Sequence, residues 1–417
     1  MKTKFFAAIT ALILIPAILF SISGCAPKTR AISLMENITP NDAEHTGNQS
    51  ERSVELTDFA VRLFQASQED SNILISPLSV LYALAMTANG AEGKTLTQME
   101  SVLGMNKQDL NNCLYGYLKN LPQTDKCKLK LANSIWFTDD ERFTVRPEFL
   151  QCNGDYYNAD IFKAPFNDDA TCKDINNWVN KKTDHMILEI LDEVSNDNVM
   201  YLINALAFKG EWDEKYKGDQ VRRDTFTTLN GTTQSVEFMY GAEMAYLEDN
   251  DAKGFIKYYK DGKYAFAALL PNETIRLSDY IASLNGAHLH EMLSNPQEIS
   301  VSTAIPKFES EYSADISDIL CNMGMDIAFD SKAADFNALG TSTGGNIYID
   351  KVLHKTYISV GEKGTKAGAA AVVVMTDECA IASYPHSVIL DRPFIYMLID
   401  CETNIPFFIG TMTNINQ

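Results

Sequence analysis

Residues 361–375 read Gly-Glu-Lys-Gly-Thr-Lys-Ala-Gly-Ala-Ala-Ala-Val-Val-Val-Met. The first half is small and flexible, the second β-branched. A run of Ala and Gly lacks the bulk to anchor a core strand. Lys363 and Lys366 put charge beside it, unlike a buried helix. Such a segment can stay outside the fold and enter a sheet later: small side chains lower the steric cost of entry, and the Val run rewards pairing. Alternation agrees, because successive strand side chains point to opposite faces. If Thr365 faces a core after entry, so do Ala367, Ala369, Ala371, Val373 and Met375, none charged, while Lys366 falls on the opposite face.

Downstream, the apolar runs 394–399 and 407–412 flank the turn Asp400-Cys401-Glu402-Thr403-Asn404, which reads as a terminal hairpin buried on both faces. Upstream, 200–208 and 264–270 are apolar and read as strands. Helical signals lie earlier. Leu56, Phe59, Ala60, Leu63 and Phe64 predict an amphipathic helix over 54–67. Ser76-Pro77 opens a second, with Ser as N-cap, Pro in the first turn, and Gly90 just past its end. Thr95-Leu96-Thr97-Gln98 has the capping-box pattern, and Gly104 can close that helix. Ile175, Trp178 and Val179 suggest a further helix. Helices first and strands later give an α+β class.

On these residues the sequence resembles the serpin family, the serine protease inhibitors, over nearly all of 51–417. Glu362-Lys363-Gly364-Thr365-Lys366-Ala367-Gly368-Ala369-Ala370-Ala371 looks like the hinge of an inhibitory reactive-centre loop. Asn72-Ile73-Leu74-Ile75-Ser76-Pro77-Leu78-Ser79 is similar to the start of the family's buried helix. The stretch 204–212, NALAFKGEW, is similar to its N-x-x-x-F-K-G-x-W strand. Val352-Leu353-His354-Lys355-Thr356 resembles the strand leading to the hinge. Asp391-Arg392-Pro393-Phe394 and Phe407-Phe408-Ile409-Gly410 resemble the closing strands. Each match is weak alone; their joint order and spacing are specific.

The resemblance implies three β-sheets surrounded by helices with an exposed reactive-centre loop. It implies an inhibitor, not an enzyme, of serine-type or cysteine-type endopeptidases. The target cuts the loop, an acyl-enzyme forms, and the freed loop enters the central sheet as a new strand. It further implies that Ser76, Ser79, Asn204 and His354 form a polar cluster where strands part, and that Trp212 stands where the loop enters. Ser76 also reads as an N-cap and His354 as a core histidine. Counting from Glu362 as in inhibitory serpins puts the reactive bond at Glu378–Cys379; counting back from Pro393 moves it to about Ala382, so Cys379, Ala380, Ala382 and Tyr384 stay open. Asp377-Glu378 suits a basic specificity pocket, Tyr384 a chymotrypsin- or subtilisin-like one. The alternative is a non-inhibitory serpin-fold binding lipoprotein.

The first residues read as a processing segment. Lys2 and Lys4 precede an apolar run over 5–20, and Ile22-Ser23-Gly24-Cys25 follows. This resembles a bacterial lipobox, with Cys25 taking the lipid and 1–24 removed as signal peptide. Residues 25–50 read as a polar tether and 51–417 as one domain. The expected location is the outer face of the cell membrane, or outside the cell if released, and the expected state is a monomer. The net charge of −20 argues against a nucleic-acid partner and against adhesion to anionic lipid other than by that anchor. The Cys residues at 113, 127, 152, 172, 321, 379 and 401 show no zinc spacing and read as isolated thiols. There is no GxSxG, HExxH, Walker loop or GxGxxG. His288 and His290 at i, i+2 make a poor metal pair on a helix. No metal or cofactor is expected, and the N-x-T tripeptides at Asn37, Asn230 and Asn272 are taken as chance.

Overall fold

The computed structural model describes residues 30–41, 52–121, 124–195, 198–365 and 384–415. The expected signal peptide, Cys25, the hinge residues Ala367, Gly368, Ala369, Ala370 and Ala371, and the bond Glu378–Cys379 lie outside the described residues.

Among the described residues there are three sheets and a short ribbon. The largest runs, edge to edge, β1 (Ile32–Ser33), β5 (Asp160–Ala164), β3 (Cys127–Thr138), β6 (Met200–Glu211), β16 (Gly364–Thr365), β15 (Lys351–Gly361) and β13 (Phe308–Asp315). The second is β2 (Ile73–Ile75), β19 (Pro406–Met412), β18 (Phe394–Asp400), β11 (Tyr264–Pro271), β10 (Ala252–Tyr258) and β9 (Ala245–Glu248). The third is β17 (His386–Ile389), β12 (Val301–Pro306), β8 (Thr233–Glu243) and β7 (Val221–Thr227). The ribbon pairs β14 (Gly340–Ser342) with β4 (Phe143–Val145). Every residue of β11, β18 and β19 is buried, which is why these strands read as continuous apolar runs.

The helices follow the same logic. In α1 (Ser53–Ala66) the stripe Leu56, Phe59, Ala60, Leu63 and Phe64 is buried. All of α2 (Pro77–Ala88) is buried, as its apolar character on every side requires. The Ser79 N–H donates to Ser76 Oγ at 3.2 Å, so Ser76 caps the helix. The next helix, α3 (Gly93–Leu103), starts earlier than the capping-box pattern suggested, with Glu92 at the N-cap. Thr95 instead accepts the Asp335 N–H at 2.9 Å, and Gln98 bonds Asp326 and the Ile327 N–H. These side chains satisfy a neighbouring segment rather than their own helix. Gly104 closes the helix at φ 77°, as expected. Then come α4 (Lys107–Asn120), α5 (Pro147–Tyr157), α6 (Asp169–Lys182), α7 (Leu277–Ser283), α8 (Gly286–Ser294) and the single turn α9 (Ser317–Leu320). Among the described residues, no helix is long and apolar enough to cross a membrane.

Residues 30–41 differ from the polar tether expected there. Ile32 and Ser33 pair with Lys163 and Phe162 of β5, the backbone N–H groups of Arg30 and Ala31 donate to Asp174, and that of Asn41 donates to Asp155. Ile38 and Met35 fill the hollow that Gly154 leaves on α5. The apolar residues are too few to show a period, yet they suffice to seat the chain on an otherwise open sheet edge.

Candidate functional site: the hinge and the strands it enters

The central strands β6 and β15 run parallel and pair from Tyr201↔Lys351 to Ala207↔Tyr357. Beyond that point they part, and β16 lies between them, antiparallel to both. Val360 faces Thr365 and Gly361 faces Gly364, so Glu362-Lys363 is a two-residue turn. On the other side, Gly364 faces Glu211 and Thr365 faces Gly210. The described part of the hinge is therefore already a strand in the sheet, where the sequence reading had it outside until cleavage. Thr365 is fully buried on the core face, as its alternation phase required.

Glycine is needed at 364. Its φ is +144°, and a Cβ there would fall 1.9 Å from the Gly210 carbonyl oxygen. The turn is gripped from β6 and the residues after it. The indole N–H of Trp212 donates to the Gly361 carbonyl at 2.8 Å and its backbone N–H to Lys363 O at 3.0 Å. The Tyr216 backbone N–H donates to Glu362 O at 3.1 Å. The Trp212 ring stacks on Tyr259 with centroids 4.4 Å apart. Glu362 forms an ion pair with Lys307 at 2.9 Å, and Lys307 also pairs with Glu237 at 2.9 Å. Burial alone would raise the Glu362 carboxyl, but the hydrogen bond and charge of Lys307 outweigh it and hold it below the ordinary range.

Where β6 and β15 are still joined, Ser76, Ser79, Asn204 and His354 meet, all buried. The Ser76 backbone N–H donates to His354 Nε2 at 3.0 Å. That nitrogen must then accept, so Nδ1 carries the proton and donates to Asn204 Oδ1. Burial pushes the His354 pKa down to about 3, so the ring is neutral. Ser79 Oγ bonds Asn133 Oδ1 at 3.0 Å and approaches Asn204 Oδ1 at 3.4 Å. The amide nitrogen of Asn204 is buried without a hydrogen-bond partner. It sits on β6, one of the two strands that part beyond this cluster. At the foot of the pair, the Asp350 carboxylate accepts the N–H groups of Val199 at 2.5 Å and Met200 at 2.8 Å, clamping β6 to β15.

The cluster and the hinge contacts thus hold three places along one seam: a clamp at its foot, polar bonds in the middle and a started strand at its mouth. Such a seam can admit a strand by parting β6 from β15. Sequence reasoning missed Tyr259, Lys307, Asn133 and Asp350. Lys307 is the single residue between β12 and the alternating strand β13, and nothing local marks any of the four as belonging to a site. Tyr384, the open reactive-bond candidate that is described, is 39% exposed.

Residues 54–415 match the family described as Serpin (serine protease inhibitor). An uncharacterized serpin-like protein of Thermococcus kodakarensis is 28% identical over 96% of this chain and 98% of its own. Human Serpin B4 is 30% identical over 86% of this chain and 98% of its own. The crystal structure of the thermophilic serpin tengpin in its native state is 44% identical, covers 92% of this chain and 100% of its own, and superposes with a TM-score of 0.88. Against tengpin in its latent state, 43% identical and covering 89% and 100%, the TM-score is 0.79. With the family model matched over 54–415 and the fold superposing on that of native tengpin, the chain belongs to the serpin family.

Proposed function

We propose that this protein inhibits serine-type endopeptidases as a suicide substrate, and that its cleaved loop is trapped by insertion between β6 and β15. The target's nucleophile attacks the Glu378 carbonyl, the Glu378–Cys379 bond breaks, the amine of Cys379 leaves, and the target is left acylated on Glu378. Water can then release the target, or the loop can zip into the seam first and carry the target with it. The observation that carries this reading is the started hairpin: Gly364 and Thr365 already pair with both β15 and β6. Extension needs no new nucleus, only the parting of a strand pair, and each added residue gains ladder bonds on two sides. The seam takes a segment of its own chain, so one copy is the acting unit.

The test is incubation of the protein with a panel of serine proteases, followed by denaturing electrophoresis. An SDS-resistant adduct supports the reading. Complete cleavage without adduct across the panel would leave the non-inhibitory binding function.

Anchoring belongs to the same proposal. Cys25 takes a diacylglyceryl group and holds the domain outside the cell membrane; two acyl chains are about what stable retention requires. Cys25→Ser should abolish incorporation of labelled palmitate, and unchanged labelling would refute the anchor.

A further inference from the structure

Behind the hinge lies a charge pair that strand insertion as such does not require. Lys257 of β10 and Glu243 at the end of β8 meet at 2.7 Å, their side chains only 5% and 12% exposed. Burying both members of an ion pair gives little stability compared with an apolar pair of the same shape. What this pair does have is placement. The Lys257 ammonium lies 4.6 Å from the Tyr216 ring centroid and 5.5 Å from that of Trp212. Those two residues hold the carbonyls of Gly361, Glu362 and Lys363, which form the turn of the started hairpin. One ammonium therefore ties β8 of the third sheet and β10 of the second to the residues at the end of β6 that grip the hinge.

We propose that Glu243 and Lys257 are a positioning pair for loop insertion: they fix Trp212 and Tyr216, and with them the turn from which the strand zips, so that neutralising Glu243 slows insertion. This rests on the inhibitory reading above.

The chemistry gives the direction. Besides Lys257, the charged group facing Glu243 is Glu214, and the Tyr216 phenol lies beside it. Burial raises the Glu243 carboxyl, Lys257 opposes it, Glu214 adds to it, and the result is a carboxyl above the ordinary range. Losing the carboxylate's charge, by protonation or by substitution, breaks the pair. The ammonium would then be buried beside two rings with no counter-charge and would move toward water, releasing the rings. The contacts of Trp212 and Tyr216 hold the turn from which the strand would extend, so loosening them weakens the nucleus of insertion. Water then wins more often.

The experiment uses the full chain labelled with 5-fluorotryptophan, whose three Trp residues give three fluorine resonances, that of Trp212 assigned with Trp212→Phe. The Trp212 resonance should move in Glu243→Gln, where the ammonium has lost its counter-charge, relative to the wild type at the same neutral pH. In parallel, one protease is trapped at that pH by the wild type, by Glu243→Gln and by the double variant E243Q/K257M, whose Met keeps the length of Lys without the charge. The adduct fraction of Glu243→Gln should fall by about threefold or more against the wild type, and the double variant should recover part of it. A Trp212 resonance unmoved by Glu243→Gln overturns the proposal. So does an adduct fraction equal to that of the wild type, with inhibition itself intact. If the wild type forms no adduct, the inhibitory reading fails and this proposal with it, and the resonance shift alone shows that the fault lies there.

Discussion

The phenol oxygen of Tyr259 lies 2.5 Å from the hydroxyl of Thr365, and both side chains are fully buried. Tyr259 follows β10 in one sheet; Thr365 is the hinge residue that has entered another. The first core-facing side chain of the loop thus finds a polar partner already placed. Thr365→Arg would force a charge into this contact, at a cost on the order of several kcal/mol. The hinge should be expelled, and the variant should be cut as a substrate with little adduct. Thr365→Val keeps the shape but leaves the Tyr259 hydroxyl unpaired, costing about 1–3 kcal/mol. Its stoichiometry of inhibition should fall between wild type and Thr365→Arg. Equal stoichiometry in all three would separate this contact from trapping.

Gly364 gives a second, sterically cleaner handle. A single methyl at this position would sit 1.9 Å from Gly210 O and 2.8 Å from Glu211 Cα. Both are backbone atoms of the central strand and cannot swing aside. Gly364→Ala should therefore push β16 out of the sheet and expose the Gly361 and Gly210 backbone. Amide hydrogen exchange should quicken at Gly361 and Gly210, whose N–H groups face β16, while β11, β18 and β19 keep their protection. Adduct yield should drop in step.

Much of this was legible before the structure, and the exceptions have a common cause. The helices α1 and α2 and the strands β6, β11, β18 and β19 are long periodic or apolar runs, and periodicity is local information. The strand β3 was missed, although Lys128-Leu129-Lys130-Leu131 alternates, because it lies in the half where helical signals dominate. The phase of Thr365 was readable from alternation, but its burial was not. That depends on Gly210, Trp212 and Tyr259, and no local pattern says that these segments converge. The Lys307–Glu362 pair joins residues 55 apart, and Asp350 looks like a surface acid until its two backbone donors are seen. The four clustered polar residues Ser76, Ser79, Asn204 and His354 came from family resemblance, since each alone has an ordinary explanation.

His354 makes the seam sensitive to acid. It is neutral in the fold with a pKa of about 3, against about 6.5 when unfolded. Between those values the unfolded chain binds a proton that the folded chain does not. Stability is therefore fully present above about pH 6.5 and declines by up to about 1.4 kcal/mol per pH unit as pH falls toward the folded value. His354→Gln removes that slope. The unfolding rate at fixed urea is the measure, since it needs no reversible equilibrium. The logarithm of the wild-type rate, less that of the variant, should climb as pH drops from about 6.5 to about 4. A difference independent of pH would mean that His354 titrates normally and is not sealed in the seam.

The last prediction concerns the free energy that the intact loop withholds. Beyond Thr365 the sequence offers Ala367, Ala369, Ala371, Val373 and Met375 on the core-facing phase, with Val372 and Val374 between them. Once the loop is cut, that segment is free to follow Thr365 between β6 and β15. Each ladder bond contributes roughly 0.5–1.5 kcal/mol net, and each well-buried Val or Met roughly 1.5–3 kcal/mol. Ordering opposes this by about 1–2 kcal/mol per residue, but a strand in mid-sheet makes bonds to two neighbours, so the balance favours entry. The parallel β6–β15 bonds that are lost are replaced by antiparallel ones on both sides of the new strand. Nicking between about Met375 and Tyr384 should therefore raise the melting temperature, whereas a nick in an ordinary surface loop lowers it or leaves it unchanged. The measurement is a melting curve before and after limited proteolysis, with the cut mapped by mass spectrometry. The same nick in Gly364→Ala supplies the control: with the started hairpin blocked, the rise should shrink or vanish. A wild-type melt that stays put after a cut in this window would mean that the intact fold stores nothing for the trap to use.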